Sequence, residues 1–234
     1  MELNVRKAAE LLGVSENTIH RWIEKRSIPA YRVNESYRFN QTELLEWANS
    51  QQIQTSSSII EDADESDAGF SVEEALRSGG VFAGVGGEDV RSALEAVVAL
   101  LPLPPDADRQ FLLQMLLARE SAGSTGVGGG VAIPHARKPI VLDVSRPMLS
   151  LCYLKQPIDF GAIDGKPVHT LFTIISPTIK THLGLLSRLA FALREAGFAR
   201  KIADRSGCTQ ILEDARRIDA LLSAHERGAA GRRP

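Results

Sequence analysis

The sequence predicts an α/β chain in two parts, a small helical domain followed by a larger α/β sandwich. Three observations lead there. Apolar residues recur at helical spacing through residues 5–25. Residues 53–69 hold five acidic residues and no basic one, a composition that divides the chain. Beyond that segment, helical patterns alternate with short apolar runs at 131–134, 148–154 and 168–176. Such runs read as buried strands covered by helices.

At about 100–200 residues per domain, 234 residues allow one ordinary domain and a small one. The parse is a domain over 1–52, an acidic flexible linker over 53–69, a second domain over 70–226 and a disordered tail over 227–234. Twenty-seven Lys/Arg against 29 Asp/Glu leave a net charge of −2, so global charge does not point to nucleic acid. The longest uncharged apolar stretches, 96–105 and 167–179, are shorter than the roughly 18 residues a membrane span needs. The N-terminus lacks the basic-then-apolar pattern of a secretory signal. Two cysteines, Cys152 and Cys208, make neither a disulfide framework nor a CxxC metal site. A cytoplasmic protein with no membrane partner, no metal and no cofactor is expected.

In the first domain, Val5, Ala8, Ala9, Leu11 and Leu12 form one apolar stripe, which Gly13 ends. Ser15 is a natural N-cap for a second helix over 16–25, with Ile19, Trp22 and Ile23 facing inward. Residues 31–33 and 37–39 alternate like strands around Asn34-Glu-Ser36. Asn40 and Glu43 fit a capping box for a third helix over 41–49. In the second domain Ser71 and Glu74 fit another. Helices are expected over 88–101, 106–118, 181–195, 199–205 and 209–226.

Helix, glycine turn, helix is the arrangement that sets a second helix across a DNA major groove. Asn17, Thr18, His20, Arg21, Lys25 and Arg26 lie off the buried stripe of that helix. Asn, Thr and Arg suit base edges, and Lys25 and Arg26 suit phosphates. Arg32, Tyr37 and Arg38 lie on the hairpin, within reach of backbone or minor groove. The run Leu3-Asn-Val-Arg-Lys-Ala-Ala-Glu-Leu-Leu-Gly-Val-Ser-Glu-Asn-Thr-Ile-His-Arg-Trp, followed by Ile28-Pro29 and Tyr37-Arg-Phe39, resembles the excisionase-type, MerR-like winged helix-turn-helix family. That resemblance implies a recognition helix and a wing, and the positions off the buried stripe make Asn17, Thr18, Arg21, Lys25, Arg26, Arg32 and Arg38 the candidate DNA contacts. Seven basic residues in 1–52 are matched by seven acidic ones, so a protein–protein module stays open. A module with so small a footprint calls for a homodimer to reach useful DNA affinity.

The glycine-rich stretch Arg119-Glu-Ser-Ala-Gly-Ser-Thr-Gly-Val-Gly-Gly-Gly-Val-Ala-Ile-Pro-His135 is neither GxGxxG before a helix nor GxxxxGK[ST]. It runs into a strand whose end carries Pro134-His135. His135 there reads either as a functional imidazole or as an ordinary satisfied histidine. No zinc-type spacing links it to His169 or His182, and no GxSxG is present.

The same stretch resembles the active-site signature of type-2 enzyme IIA domains of the phosphoenolpyruvate-dependent sugar phosphotransferase system, in its fructose, mannitol and nitrogen-regulatory branches. Pro157-Ile-Asp-Phe-Gly-Ala-Ile-Asp-Gly-Lys-Pro-Val168, Leu171-Phe-Thr-Ile-Ile-Ser-Pro177 and His182-Leu-Gly-Leu-Leu-Ser-Arg-Leu-Ala190 are similar to further motifs of that family, in order. The likeness covers roughly residues 71–222 and implies an α/β sandwich with a mixed sheet. By it His135 is the phosphoacceptor, His182 lies beside it, and Arg119 holds phosphoryl oxygens. Ser124, Thr125, Gly126 and Gly128 belong to the implied phosphate-binding loop, with the backbone N–H groups of 125–130 as donors. Gly129 stands where the family often has Asn, and Ala136 where Gly is common. His169 is left outside the site, and His20 and His225 are placed in solvent or, for His20, on the DNA face.

An enzyme IIA domain joined to a DNA-binding domain reads as a regulator, phosphorylated by an HPr-like histidine phosphocarrier and linking that state to transcription. The acidic linker competing for the basic face of the first domain is one route. The alternatives are a plain IIA component passing phosphate to a separate IIB subunit, and a phosphorylation-dependent protein–protein regulator.

Overall fold

The structure is a computed structural model. Its described residues are 2–25, 27–33, 36–40, 43–44, 47–48, 71–136 and 144–230, with backbone alone at 2, 32–33, 36, 40 and 225–230. The chain divides into two units, Met1–Gly69 and Phe70–Pro234.

The first unit opens with β1 (Glu2–Asn4) and α1 (Val5–Leu12). The Asn4 side chain caps α1 by accepting from the Lys7 amide, and Gly13 ends it. Ala8, Ala9, Leu11 and Leu12 are buried, as the stripe requires. Ser15 caps α2 (Glu16–Glu24), where Ile19 is fully buried and Trp22 and Ile23 are half-buried. β2 (Tyr31–Val33) and β3 (Ser36–Asn40) form the expected hairpin. β1 was not expected. It pairs antiparallel with the other edge of β3, aligning Leu3 with Phe39, and its three residues are too few to show alternation. Of the third helix expected over 41–49, positions 43–44 and 47–48 are helical, with Leu44 and Ala48 fully buried. Trp47 meets Trp22 edge-on at 5.2 Å between ring centroids. The rest of that helix, the 34–35 turn and the linker lie outside the described residues.

The second unit begins with α3 (Val72–Gly79), capped by the Ser71–Glu74 box. Then come β4 (Val81–Val85), α4 (Val90–Leu100), α5 (Arg109–Ser121), β5 (Gly126–Gly128) and β6 (Val131–Ala132). β7 (Met148–Ile158) and β8 (Val168–Ile175) precede α6 (Ile179–Arg194), α7 (Ala196–Ala203) and α8 (Cys208–Ala230). The five strands form one mixed sheet in the order β4-β7-β8-β6-β5. β7 and β8 are antiparallel, while β4 on β7 and β6 on β8 are parallel. Apolar cores fill both faces. Leu94, Val97, Leu112 and Leu116 of α4 and α5 pack on one face with Cys152, Leu154 and Leu171. Leu76, Leu185, Leu189, Phe198 and Ile218 pack on the other with Leu151, Tyr153, Phe172 and Ile174. An α/β sandwich with a mixed sheet is therefore observed.

Two of the sheet's five strands escape the sequence pattern. β4 has Gly84 inside it and glycines on either side, and β5 is Gly-Val-Gly, so neither shows an apolar alternation. α5 starts three residues later than expected because Asp108, not Asp106, accepts from an amide of the first turn. α8 runs to Ala230, past position 226 and into the expected tail, of which 231–234 lie outside the described residues.

The close approach of α3 to the sheet depends on one glycine. A Cβ on Gly79 would stand 2.3 Å from the Leu149 carbonyl oxygen of β7. Backbone cannot retreat as a flexible side chain can. Gly79→Ala is expected to destabilise the second unit by about 1–3 kcal/mol, seen as a lowered thermal midpoint.

Candidate functional site

His135 is placed by the sheet. Val131 and Ala132 pair with Thr170 and Leu171, and His135 continues that register as a parallel bridge to Ile174. Parallel neighbours in register point to the same face. Ile174 packs with α6 residues, so the His135 ring also faces α6. There it meets His182, with ring centroids 5.2 Å apart and planes at 43°. Both histidines are buried, at 3% and 4% exposure. His182 lies in the first turn of α6, whose N-cap is Thr178. The first turn of α6, the positive end of its dipole, thus carries the histidine that meets the His135 ring.

One hydrogen bond decides the chemistry of His135. Its Nδ1 lies 2.7 Å from the Ile133 carbonyl oxygen. A carbonyl only accepts, so Nδ1 carries a proton, and of the two neutral tautomers the bond selects the one whose lone pair is on Nε2.

The glycine-rich stretch forms a tight hairpin, β5 against β6, with Gly126 opposite Ala132 and Gly128 opposite Val131. Its polar groups have partners within the chain. Glu120 accepts from the Thr125 amide at 3.0 and 3.1 Å and from the Thr125 hydroxyl. The Ser124 hydroxyl donates to the Phe160 carbonyl at 2.5 Å and accepts from the Gly126 amide at 3.0 Å. Asp164 accepts from the Gly129 amide at 2.9 Å and the Lys166 amide at 3.2 Å. The Gly129 and Lys166 amides hold the Asp164 carboxyl below its ordinary range. Arg119 sits in the last turn of α5 and donates from Nη1 to the Gly123 carbonyl at 2.8 Å. Three amides in the span expected to face a phosphoryl group, those of Thr125, Gly126 and Gly129, are thus bonded to Glu120, Ser124 and Asp164.

His135 and His182 are brought together; Arg119 ends α5, Ser124 and Thr125 follow in the loop, and Gly126 and Gly128 lie on the β5 strand of the hairpin that leads to His135. Glu120 and Asp164 hold that hairpin and were not singled out from sequence. Glu120 is adjacent to Arg119, and Asp164 lies within a quoted motif, but spacing gave neither a role. His169 is half-buried against the hairpin, its Nδ1 2.7 Å from the Thr170 hydroxyl oxygen. Burial lowers its affinity for a proton, and the Arg205 charge lowers it further. The Cys152 thiol is pushed up to about 12 by burial and is inert as a nucleophile. Among the described residues no group of three or more His, Cys, Asp or Glu could hold a metal ion. Within them no helix is long and apolar enough to cross a membrane.

On the first unit, Asn17, His20, Arg21 and Lys25 are exposed along α2, and Arg38 is half-buried on β3. Thr18 is half-buried and its hydroxyl lies 3.0 Å from that of Ser15, inside the N-cap. Arg26 lies outside the described residues, and Arg32 is described by its backbone alone.

Residues 74–214 match the family described as phosphoenolpyruvate-dependent sugar phosphotransferase system, EIIA 2. The chain belongs to the EIIA 2 family. Residues 2–52 match a helix-turn-helix domain family. The EIIA 2 part is 37% identical over 128 residues to a nitrogen regulatory protein of Pseudomonas aeruginosa, covering 53% of this chain and 81% of that one. It is also 37% identical over 115 residues to a fructose-specific EIIA component of Haloferax volcanii, covering 47% and 73%. The crystal structure of the nitrogen regulatory protein IIA-Ntr from Neisseria meningitidis superposes with a TM-score of 0.51 at 26% identity. That superposition covers 58% of this chain and 92% of the other. The EIIA 2 family relationship makes this chain a IIA-type protein of the phosphotransferase system, joined to a helix-turn-helix domain.

Gly130 and Gly129 separate two effects in the EIIA 2 hairpin. Both have positive φ, +77° and +62°, but a Cβ on Gly130 would lie 2.3 Å from His169 Nε2, whereas one on Gly129 meets open space. Gly129→Ala is expected to cost about 1–2 kcal/mol of backbone strain. Gly130→Ala should cost measurably more in the same thermal unfolding assay and displace the His169 ring resonances. The His169 midpoint, below the ordinary 6.5, also sets a pH dependence. Between the folded midpoint and 6.5 the unfolded chain holds the extra proton. This contribution to stability is therefore full above pH 6.5 and lost as pH falls through the folded midpoint. Thermal midpoints taken from pH 7.5 to 5 should fall less steeply in His169→Gln than in the wild type.

Proposed function

We propose that the chain is a phosphohistidine carrier and regulator, phosphorylated on His135 Nε2 by an HPr-like histidine phosphocarrier. The carrying observation is the Nδ1 bond to the Ile133 carbonyl, with the His182 ring 5.2 Å away. In the transfer, the Nε2 lone pair forms the N–P bond as the donor's P–N bond breaks. The donor keeps that electron pair on its own ring nitrogen. His182, Arg119 and the amide end of α6 supply positive potential for the anionic group in flight. The hairpin of Ser124, Thr125, Gly126 and Gly128 holds His135 and Arg119 in place. Its Thr125 and Gly126 amides serve Glu120 and Ser124, so they support the site from behind.

The product adds about −1.5 to −2 charges at neutral pH, by analogy with other phosphorylated side chains. The fused helix-turn-helix supports a readout on DNA, through the exposed α2 face of Asn17, Arg21 and Lys25 and through Arg38 on β3. Arg26 and Arg32 belong to the same proposed contact set. A second reading is favoured by the likeness to a fructose-specific EIIA component, namely onward transfer to a separate IIB subunit.

The test mixes the purified chain with the general phosphotransferase enzymes and labelled phosphoenolpyruvate. Acid-labile label is expected on the wild type and absent from His135→Ala. DNA titrations of the two phospho-forms should then differ, with Arg21→Ala as the weak-binding control. Label that moves onto an added IIB protein while DNA affinity stays fixed selects the second reading.

A further inference from the structure

Three buried hydroxyls have no hydrogen-bond partner among the described residues: those of Tyr153, Thr173 and Ser176. A buried hydroxyl without a partner is costly and calls for an explanation. For two of them the place in the fold supplies no ligand. Tyr153 lies opposite Thr170, toward the far end of β8 from the His135 bridge. Thr173 sits between Leu171 and Ile175, whose side chains pack on the α4–α5 face, away from His182.

Ser176 is different. It is 4% exposed and follows β8 directly. Phe172 and Ile174 face the α6 side of the sheet. Alternation carried one step further puts Ser176 on that same face. Ile174 is the residue bridged to His135, and Ser176 lies about 6–7 Å beyond it along the chain. Two residues later Thr178 caps the helix that carries His182. Ser176 is therefore a buried residue in the short link between the strand that positions one histidine and the helix that carries the other.

We propose that Ser176 is a phosphoryl-binding residue: its Oγ–H donates to a non-bridging oxygen of the phosphoryl group on His135 Nε2. The inference rests on the phosphocarrier reading and adds a residue to it. In the unphosphorylated chain the hydroxyl waits without a partner; in the phosphorylated chain it gains a charged acceptor. No proton leaves Ser176 and no bond to it is made or broken. A hydrogen bond to a charged acceptor is stronger than one between neutral groups.

The experiment uses the full chain as wild type, Ser176→Ala and Ser176→Cys, the last close in size but a weak donor. Each is equilibrated with labelled phosphocarrier, and the share of label on each partner is measured beside the thermal midpoint of the unphosphorylated chain. Ser176→Ala is expected to shift the partition toward the phosphocarrier about tenfold. Its unphosphorylated midpoint should be equal to or above wild type, because an unpartnered buried hydroxyl has been removed. Ser176→Cys should fall between the two in partition. A labelled wild type with either variant partitioning identically overturns the role of Ser176 and leaves the phosphocarrier reading standing. Loss of label matched by a lowered midpoint marks packing alone and also overturns it. A wild type that takes no label from an active donor overturns both.

Discussion

The hydrogen bond from His135 Nδ1 to the Ile133 carbonyl is the constraint on which the site depends. It fixes which ring nitrogen is nucleophilic, and it does so from the backbone, two residues away in the same chain. Such a bond is only as good as the strand that carries it. β6 is two residues long and would not hold a direction alone. It is held because β8 pairs with it in parallel and extends the register to His135 through Ile174. β8 is in turn fixed by seven aligned positions on β7. The tautomer of one imidazole thus rests on the central strands of the sheet.

The glycine hairpin has a structural logic of its own. Glycine-rich loops near phosphate chemistry invite the reading that their amides cradle the anion. Here the Thr125, Gly126 and Gly129 amides are tied to Glu120, Ser124 and Asp164. The glycines serve close approach: Gly126 against Ala162, and Gly130 against the His169 ring. Those three amides are therefore taken up within the chain.

Much of this was legible in the sequence, for physical reasons that differ by element. α1 and α2 announce themselves because a half-buried helix must repeat its apolar residues, and Ser15 and Gly13 mark the break between them. β7 and β8 show as continuous apolar runs because both faces of a central strand are covered. β4 is broken by Gly84 and β5 is Gly-Val-Gly, so neither sequence carries a period. The pairing of His135 with His182 was implied by resemblance to a family's ordered motifs; the spacing of 47 positions says nothing of a contact. Glu120 and Asp164 were illegible as clamps because each acts on a backbone group, and backbone amides leave no mark in a sequence.

Burial of both histidines sets a thermodynamic condition on any phosphorylated state. A phosphoryl group brought to a ring only 3% exposed must exchange its water shell for fixed donors or carry the chain toward solvent. Under the phosphocarrier reading the candidate donors lie on two elements: Arg119 on α5, and on α6 both His182 and the helix N-terminus. α6 brings His182 to the His135 ring from its first turn, at the positive end of its dipole. Its first residue, Ile179, is half exposed, so the turn that answers the phosphoryl group also reaches the surface of the unit. A single helical turn thus joins the buried His182 to the exposed Ile179, three positions earlier on the same helix.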